Sequence, residues 1–173
     1  LTADLAALTE PMAVGLHAVE MAQLAPGAVP LVIGCGPVGL AVIVALKMKG
    51  LGPILAADFS AQRRELAIAM GADQVIDPAA HSPYDSWRQS AALPEGTAPA
   101  PALGPIPEAL KPAVIFECVG VPGVIDQVMA GAPQQARIVV VGVCMEQDNF
   151  RPYRGIIKEL SLQFVLGYSP DQF

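Results

Sequence analysis

"LVIGCGPVGLAVIVALKMKG", residues Leu31 to Gly50, sets three glycines between a short β-branched run and a long apolar one. The spacing Gly34-x-Gly36-x-x-Gly39 is that of a turn which cradles a dinucleotide pyrophosphate. Each glycine then has its own task. The first permits the tight turn, the second leaves no Cβ in the path of the phosphates, and the third lets helix and strand pack closely. Pro37 suits the first turn of the following helix, whose unpaired N–H groups and positive dipole end favour an anion. A membrane span is excluded. Gly and Pro interrupt the run between Gly34 and Gly39, Lys47 and Lys49 close it, and about ten continuous residues from Val38 fall short of the ~20 required.

Working outward, Asp58 stands 22 residues after Gly36, at the end of the next β-type run, where a carboxylate can accept hydrogen bonds from a ribose diol. That charge also repels a 2′-phosphate, and "ADFS" places no arginine beside it, so NAD is expected over NADP. Arg63 and Arg64, one turn into the next helix, keep NADP as an alternative.

The rest of the chain alternates strands and helices. Pro11 to Leu24 reads as a helix, Leu31 to Ile33 as a strand, and Pro37 to about Lys49 as a helix. Ile54 to Ala57 is a second strand, "SAQRRELAIAM" a helix capped by Ser60 and stopped by Gly71, and Gln74 to Ile76 a third strand. Tyr84 to Ala92 fits a short helix. After residues 93–112 come strands at Val114 to Glu117 and Arg137 to Val143, with a helix at Pro122 to Ala130 between them. "RPYRGIIKEL" and "SLQFVLGY" supply a last helix and a sixth strand. Two β-α-β-α-β halves predict an α/β, Rossmann-type doubly wound parallel sheet of six strands, order 3-2-1-4-5-6, with helices on both faces.

Residues 93–112, "LPEGTAPAPALGPIPEALKP", carry six prolines and two glycines, too many ring constraints for a regular element. They read as an insertion loop within one domain spanning 1–173, because the three-stranded halves on either side would be unstable alone. Residues 1–26 form a lead-in segment and helix ahead of the sheet.

Composition agrees with this class. The 173 residues are 53% hydrophobic but only 5% aromatic, which suits aliphatic parallel strands under helices. A net charge of -6 without a Lys/Arg cluster repels a nucleic-acid backbone. Cys35, Cys118 and Cys144 lie far apart, which argues against a disulfide framework or a cysteine-rich zinc site and predicts a reducing, cytoplasmic setting. "LTADLAALTEP" lacks an initiator Met and a basic signal region, and "GYSPDQF" opens a helix that never follows, so both ends read as cut from a longer chain.

Acid–base groups are scarce. His17, within "VGLHAV", reads as a packed or capping side chain, and His81 as a solvated one. Tyr84, Tyr153 and Tyr168 lack the Y-x-x-x-K spacing of a tyrosine base beside a lysine. Glu10 in "LTEP" and Glu117 in "FECVG" are the acids in the least polar surroundings, and Glu117 either faces the cofactor crevice or is simply paired.

The stretches "LTEPMAVGLHAV", "GCGPVGLAVIVALKMKG", "AADFSAQRRELAIAMGAD", "FECVGVPG", "ARIVVVGV" and "KEL" together resemble the medium-chain, zinc-dependent alcohol and polyol dehydrogenases over essentially the whole chain. The resemblance implies an oxidoreductase in which hydride passes between NAD and an alcohol held on a catalytic zinc. It places Gly34, Gly36, Pro37, Val38 and Gly39 around the pyrophosphate, and Asp58 with Arg63 at the adenosine ribose. Val119 and Gly120 would border the adenine side, and Gly142 and Val143 would offer backbone groups near the nicotinamide. Most zinc ligands of the family belong to an N-terminal catalytic domain. Here Glu10 alone matches an acidic metal-side position, so no metal is expected without that domain, and the chain alone is expected to be inactive.

The family also implies a small alcohol or polyol substrate and a homodimer or homotetramer, with "LSLQFVLGY" as the candidate pairing edge. No nucleic-acid or membrane partner is expected. Two other readings stay open: a non-catalytic nucleotide-sensing module, and a zinc-independent quinone or enoyl reductase of the same superfamily.

Overall fold

The computed structural model describes residues 2–94, 96–97 and 109–173, apart from the side chain of Asp4. In chain order the elements are α1 (Ala3–Ala7), α2 (Thr9–Met21), β1 (Val29–Ile33), α3 (Pro37–Met48), β2 (Leu55–Ala57), α4 (Ala61–Met70) and β3 (Gln74–Ile76). They continue with α5 (Pro83–Ala91), β4 (Ala113–Glu117), α6 (Val124–Gly131), β5 (Arg137–Val140), α7 (Pro152–Lys158), β6 (Ser161–Phe164) and a 3-10 turn at Pro170–Gln172. The six strands form one parallel sheet in the order β3-β2-β1-β4-β5-β6, as the alternation predicts.

The period of two along each strand divides the core between the two faces of the sheet. Val32, Ala56, Val114, Phe116 and Val139 pack with α2, α3 and α4 residues such as Ala18, Val42, Leu46 and Ala67. Their neighbours Leu31, Leu55, Ile115, Ile138 and Val140 pack with Trp87 of α5 and with Ile125, Val128 and Met129 of α6. Both faces are covered, so the inner strands β1 and β4 show no polar alternation and are apolar up to Glu117 at the end of β4. α2 and α3 cross closely because Gly15 has no side chain. A Cβ there would come within 2.7 Å of the Ala41 Cβ.

Pro30 sits inside β1, one of the two central strands, where a missing N–H ordinarily breaks the ladder. The alternation resolves this. Val29 donates to the Pro112 carbonyl and Ile33 accepts from Cys118, so the odd residues face β4 and Pro30 faces β2. β2 begins at Leu55, opposite Leu31, so no partner stands beside the missing donor. On the far face, the Trp87 indole is 99% buried and donates to the Val29 carbonyl at 2.9 Å, anchoring α5.

Several boundaries differ from the sequence expectation. α2 starts at Thr9 because Pro11 occupies the first turn, where an N–H has no partner in any case, and it stops at Met21 ahead of Gln23 at φ 49°. α6 starts at Val124 because Gly123, at φ 86°, is left-handed and forms the cap. β5 ends at Val140 because the Glu117 carbonyl accepts both the Val141 and Gly142 N–H groups and bends the chain. β6 stops at Phe164, before "VLGY". α1 was not expected from the sequence, and the C-terminal Ser-Pro-Asp opening becomes a single 3-10 turn with a capping box.

Most of the 93–112 insertion lies outside the described residues. Its ends are tied together: Ala92 bridges Leu110, and Leu93 donates to the Ala109 carbonyl at 2.9 Å. Among the described residues, no helix is long and apolar enough to cross a membrane.

Candidate functional site

The strand order reverses between β1 and β4, and the crevice at the carboxyl ends of these strands is where an open α/β sheet binds its ligand. The three glycines of the first loop stand in three different environments. Gly34 has φ +92°, donates to the Ala57 carbonyl at 2.8 Å, and would press a Cβ to 2.8 Å from Val119 Cγ2. A Cβ on Gly39 would overlap the Gly34 carbonyl oxygen. Gly36 has φ -72° and ψ -174°, which any residue adopts, and a Cβ there would meet nothing within 4 Å.

The protein therefore requires glycine at 34 and 39, but nothing in the chain requires it at 36. The space in front of Gly36, at the amino end of α3, is open. Gly36 caps α3 without a side-chain hydrogen bond, and Pro37, at the first helical position, has no N–H to offer. Val38 and Gly39 follow in the first turn, where N–H groups have no preceding helical carbonyl.

Asp58 closes this loop from the β2 side. Its carboxylate is 8% exposed; Oδ2 accepts from the Cys35 N–H and Oδ1 from the Ser60 N–H, both at 2.8 Å. Two of about four acceptor positions are thus used, which orients the group and leaves capacity for a ligand hydroxyl. Arg63 Nη1 stands 3.7 Å from Oδ2 on the solvent side. Phe59, between Asp58 and Ser60, is 74% exposed, an aromatic face beside the acid that no sequence pattern singles out. The Cys35 thiol is pushed up to about 12, first by burial and then by the Asp58 charge, so it stays a neutral packing group.

On the other side of the switch point, Glu117 ends β4 and is 1% exposed. Oε1 accepts from Val119 N–H at 2.7 Å and from Gly120 N–H at 2.9 Å, so the pairing alternative holds. Glu117 also lines the crevice. Gly120, at φ +69°, lies so close to the next loop that a Cβ would sit 2.7 Å from the Val143 nitrogen, and one on Gly142 would sit 2.8 Å from the Gly120 Cα. Val119, Gly120, Gly142 and Val143 therefore form one wall, with backbone against backbone. Beside it lies a cavity of about 360 Å³ lined by Glu117, Gly120, Gly142, Val143, Asp148 and Phe164, among others. Asp148 fastens the cavity rim through Gly123, whose N–H it accepts at 2.7 Å.

The remaining candidates lie apart from this crevice. His17 Nδ1 is 3.0 Å from Gln172 Oε1, which matches the packed reading of that histidine, and Gln172 also donates to Glu20. His81 is exposed. Tyr84 is half-buried against Gly131, and its hydroxyl is pushed up to about 12, first by burial and then by the Glu117 charge. Glu10 is exposed in the first turn of α2. Among the described residues, no three His, Cys, Asp or Glu side chains converge to hold a metal, so zinc does not fit here on these residues alone. All three cysteines are free.

The sequence matches the zinc-binding dehydrogenase family over residues 37–173. The chain is 33% identical over 162 residues to (R,R)-butanediol dehydrogenase of Bacillus subtilis (strain 168), covering 94% of this chain and 42% of that protein. It is 30% identical to sorbitol dehydrogenase of Ovis aries, with the same coverage of each chain. The crystal structure of 2R,3R-butanediol dehydrogenase from Bacillus subtilis superposes with a TM-score of 0.75 at 29% identity, over 96% of this chain and 43% of that one. The chain thus spans less than half the length of the relatives it matches. Its six-stranded sheet, its glycine loop and these matches agree: the chain belongs to the zinc-binding dehydrogenases, a family of oxidoreductases that includes alcohol and polyol dehydrogenases.

Proposed function

We propose that this chain acts as one unit that binds NAD for an NAD-dependent, zinc-type alcohol or polyol dehydrogenase. The observation that carries this is Gly36, whose missing side chain serves no neighbour in the protein and opens onto the crevice beside Asp58. In this reading Gly34, Gly36, Pro37, Val38 and Gly39 surround the pyrophosphate at the amino end of α3. Asp58 accepts from the adenosine ribose, with Arg63 at its outer edge and Phe59 offering an apolar face to the adenine. Val119 and Gly120 continue the wall from the switch point, and Gly142 and Val143 present backbone groups to the nicotinamide in the cavity beyond.

NAD supplies the hydride acceptor when bound. What the chain's own residues do is position it: the glycine loop fixes the phosphates, Asp58 fixes the ribose, and Glu117 holds the turn at 119–120 that shapes the second half of the crevice. Zinc chemistry needs donors beyond the described residues, with Glu10 as this chain's single contribution, so the chain alone binds cofactor without turning over alcohol.

The β6 edge is the proposed pairing surface of a homodimer or homotetramer. Ser161 donates to the Ala136 carbonyl just before β5 and Val165 to that of Val140, so the alternate amides, including that of Phe164, point outward. Calorimetric titration with NAD and NADP tests the cofactor assignment. NAD binding tighter than NADP is expected, and the reverse order, or binding of neither, overturns it.

A further inference from the structure

The first turn of α4 carries two adjacent arginines, and their environments differ. Arg63 is 56% exposed and reaches toward the Asp58 carboxylate. Arg64 is 19% exposed and turned the other way. Its Nη1 donates to the backbone carbonyls of Asp58 at 2.8 Å and Phe59 at 2.9 Å, and its Nη2 lies 3.0 Å from Asp77 Oδ2. Asp77 follows β3 and is itself oriented, because Oδ1 accepts the Ala79 N–H at 3.0 Å.

We propose that Asp77 is a selectivity residue for the cofactor, acting by holding Arg64 on the 58–59 backbone and away from the ribose 2′ position. The inference rests on the cofactor reading above and deepens it. At this corner two carboxylates, Asp58 and Asp77, balance two guanidiniums, so a 2′-phosphate with its charge of roughly -1.5 to -2 meets no net attraction. Arg64 is already in contact with the carbonyl of the residue whose carboxylate faces the ribose. Removing the Asp77 charge frees Nη2, while Nη1 keeps the 58–59 carbonyls, so a planar cation with an unpaired donor edge stays within one side chain's reach of that position. Asp58 alone therefore does not set the preference for NAD. A second acid, 19 residues later and just past β3, withholds the arginine that would reverse it.

The test compares wild type, Asp77→Asn and the double variant Arg64→Gln/Asp77→Asn, each titrated calorimetrically with NAD and with NADP and each checked by thermal unfolding. Asp77→Asn is expected to shift the affinity ratio at least tenfold toward NADP, about the value of one charge-assisted contact. The double variant is expected to return the ratio to within threefold of wild type. If Asp77→Asn does not fold, Asp77→Ser keeps an acceptor for Ala79 without the charge, and the same criteria apply.

A ratio within twofold of wild type in the single variant overturns the inference. So does a double variant that shifts as far as the single one, since the charge of Asp77 would then act without Arg64. A wild-type chain that binds neither nucleotide overturns the cofactor reading and this inference with it, whereas tight NAD binding with an unmoved ratio overturns only the inference.

Discussion

Gly36 and Gly39 lie three residues apart in one loop, and alanine at each should do opposite things. At Gly39 the added Cβ overlaps the Gly34 carbonyl oxygen and lies 3.0 Å from its carbon, and both atoms are backbone that cannot rotate away. Overpacking of this kind costs about 3 kcal/mol, against which alanine's better helix propensity returns at most about 1. The net loss of about 2 kcal/mol lowers the melting temperature by about 4–8 °C for a chain of this length.

At Gly36 the Cβ meets nothing and φ is already -72°, so removing glycine's freedom in the unfolded chain gains about 0.4–1 kcal/mol. Alanine is a poorer N-cap than glycine by a similar amount, so the two effects cancel and the melting temperature moves by less than about 2 °C. Binding changes instead. A methyl in the pyrophosphate path displaces at least two charge-assisted hydrogen bonds, worth about 3 kcal/mol together, so the NAD dissociation constant rises by about a hundredfold. Valine at the same position abolishes binding. Scanning calorimetry and NAD titration of the two alanine variants separate these effects. The reasoning is refuted if Gly36→Ala melts as low as Gly39→Ala, or if it binds NAD within threefold of wild type.

Glu117→Ala leaves the N–H groups of Val119 and Gly120 without their acceptor and should cost about 2–4 kcal/mol by denaturant unfolding, while Glu117→Gln, which keeps one acceptor oxygen, loses less than half of that. Alkaline stability should fall early. Cys35 and Tyr84 hold their protons up to about 12 in the folded chain against ordinary values of 9.0 and 10.0, so their contribution is complete below pH 9 and lost as pH rises toward 12. A melting profile from pH 8 to 11 should therefore slope downward, and more gently in Cys35→Ala; equal slopes in both would remove Cys35 as a cause. At the sheet edge, Phe164→Pro deletes an outward amide without touching the β5 ladder, and on the edge-pairing proposal the variant should sediment as a monomer where the wild type sediments as a dimer or tetramer. Phe164→Ala should leave the assembly intact, and assembly that survives the proline would exclude edge pairing.

The strand order and both helical layers were legible in the sequence because the local signals agree with one another. Ser60 caps α4 through Arg63 N–H, Gly71 closes it at φ 116°, and the third strand follows at Gln74 as expected. Asp58 was legible because its distance from Gly36 is a consequence of one β-α-β unit. What spacing could not reveal is which loops touch. Gly120 and Gly142 enter the sequence reading only through the family resemblance, as separate cofactor-side positions, and nothing in their spacing shows that each is fixed by the backbone of the other's loop. Arg64 was visible only as half of a basic pair. Its partner, Asp77, lies beyond an intervening helix and strand, and no periodicity links them. Phe59 was passed over because an exposed aromatic after a strand has no signature until its neighbour has a role.

These contacts locate the binding properties of the crevice mainly in the backbone. The first loop presents main-chain donors at the α3 terminus, the far wall is Gly120 against Gly142, and the side chains that matter, Asp58 and Glu117, spend two hydrogen bonds each on holding loop N–H groups in place. A crevice of this kind depends on glycine where chains approach and on acids where turns must stay open, and it is indifferent to most other identities. On the proposed cofactor reading, the choice between NAD and NADP is not set by the glycine loop, because the pyrophosphate it would hold is common to both. The choice falls to the few charges at its adenosine end, where Arg63 is exposed and Arg64 is held by Asp77.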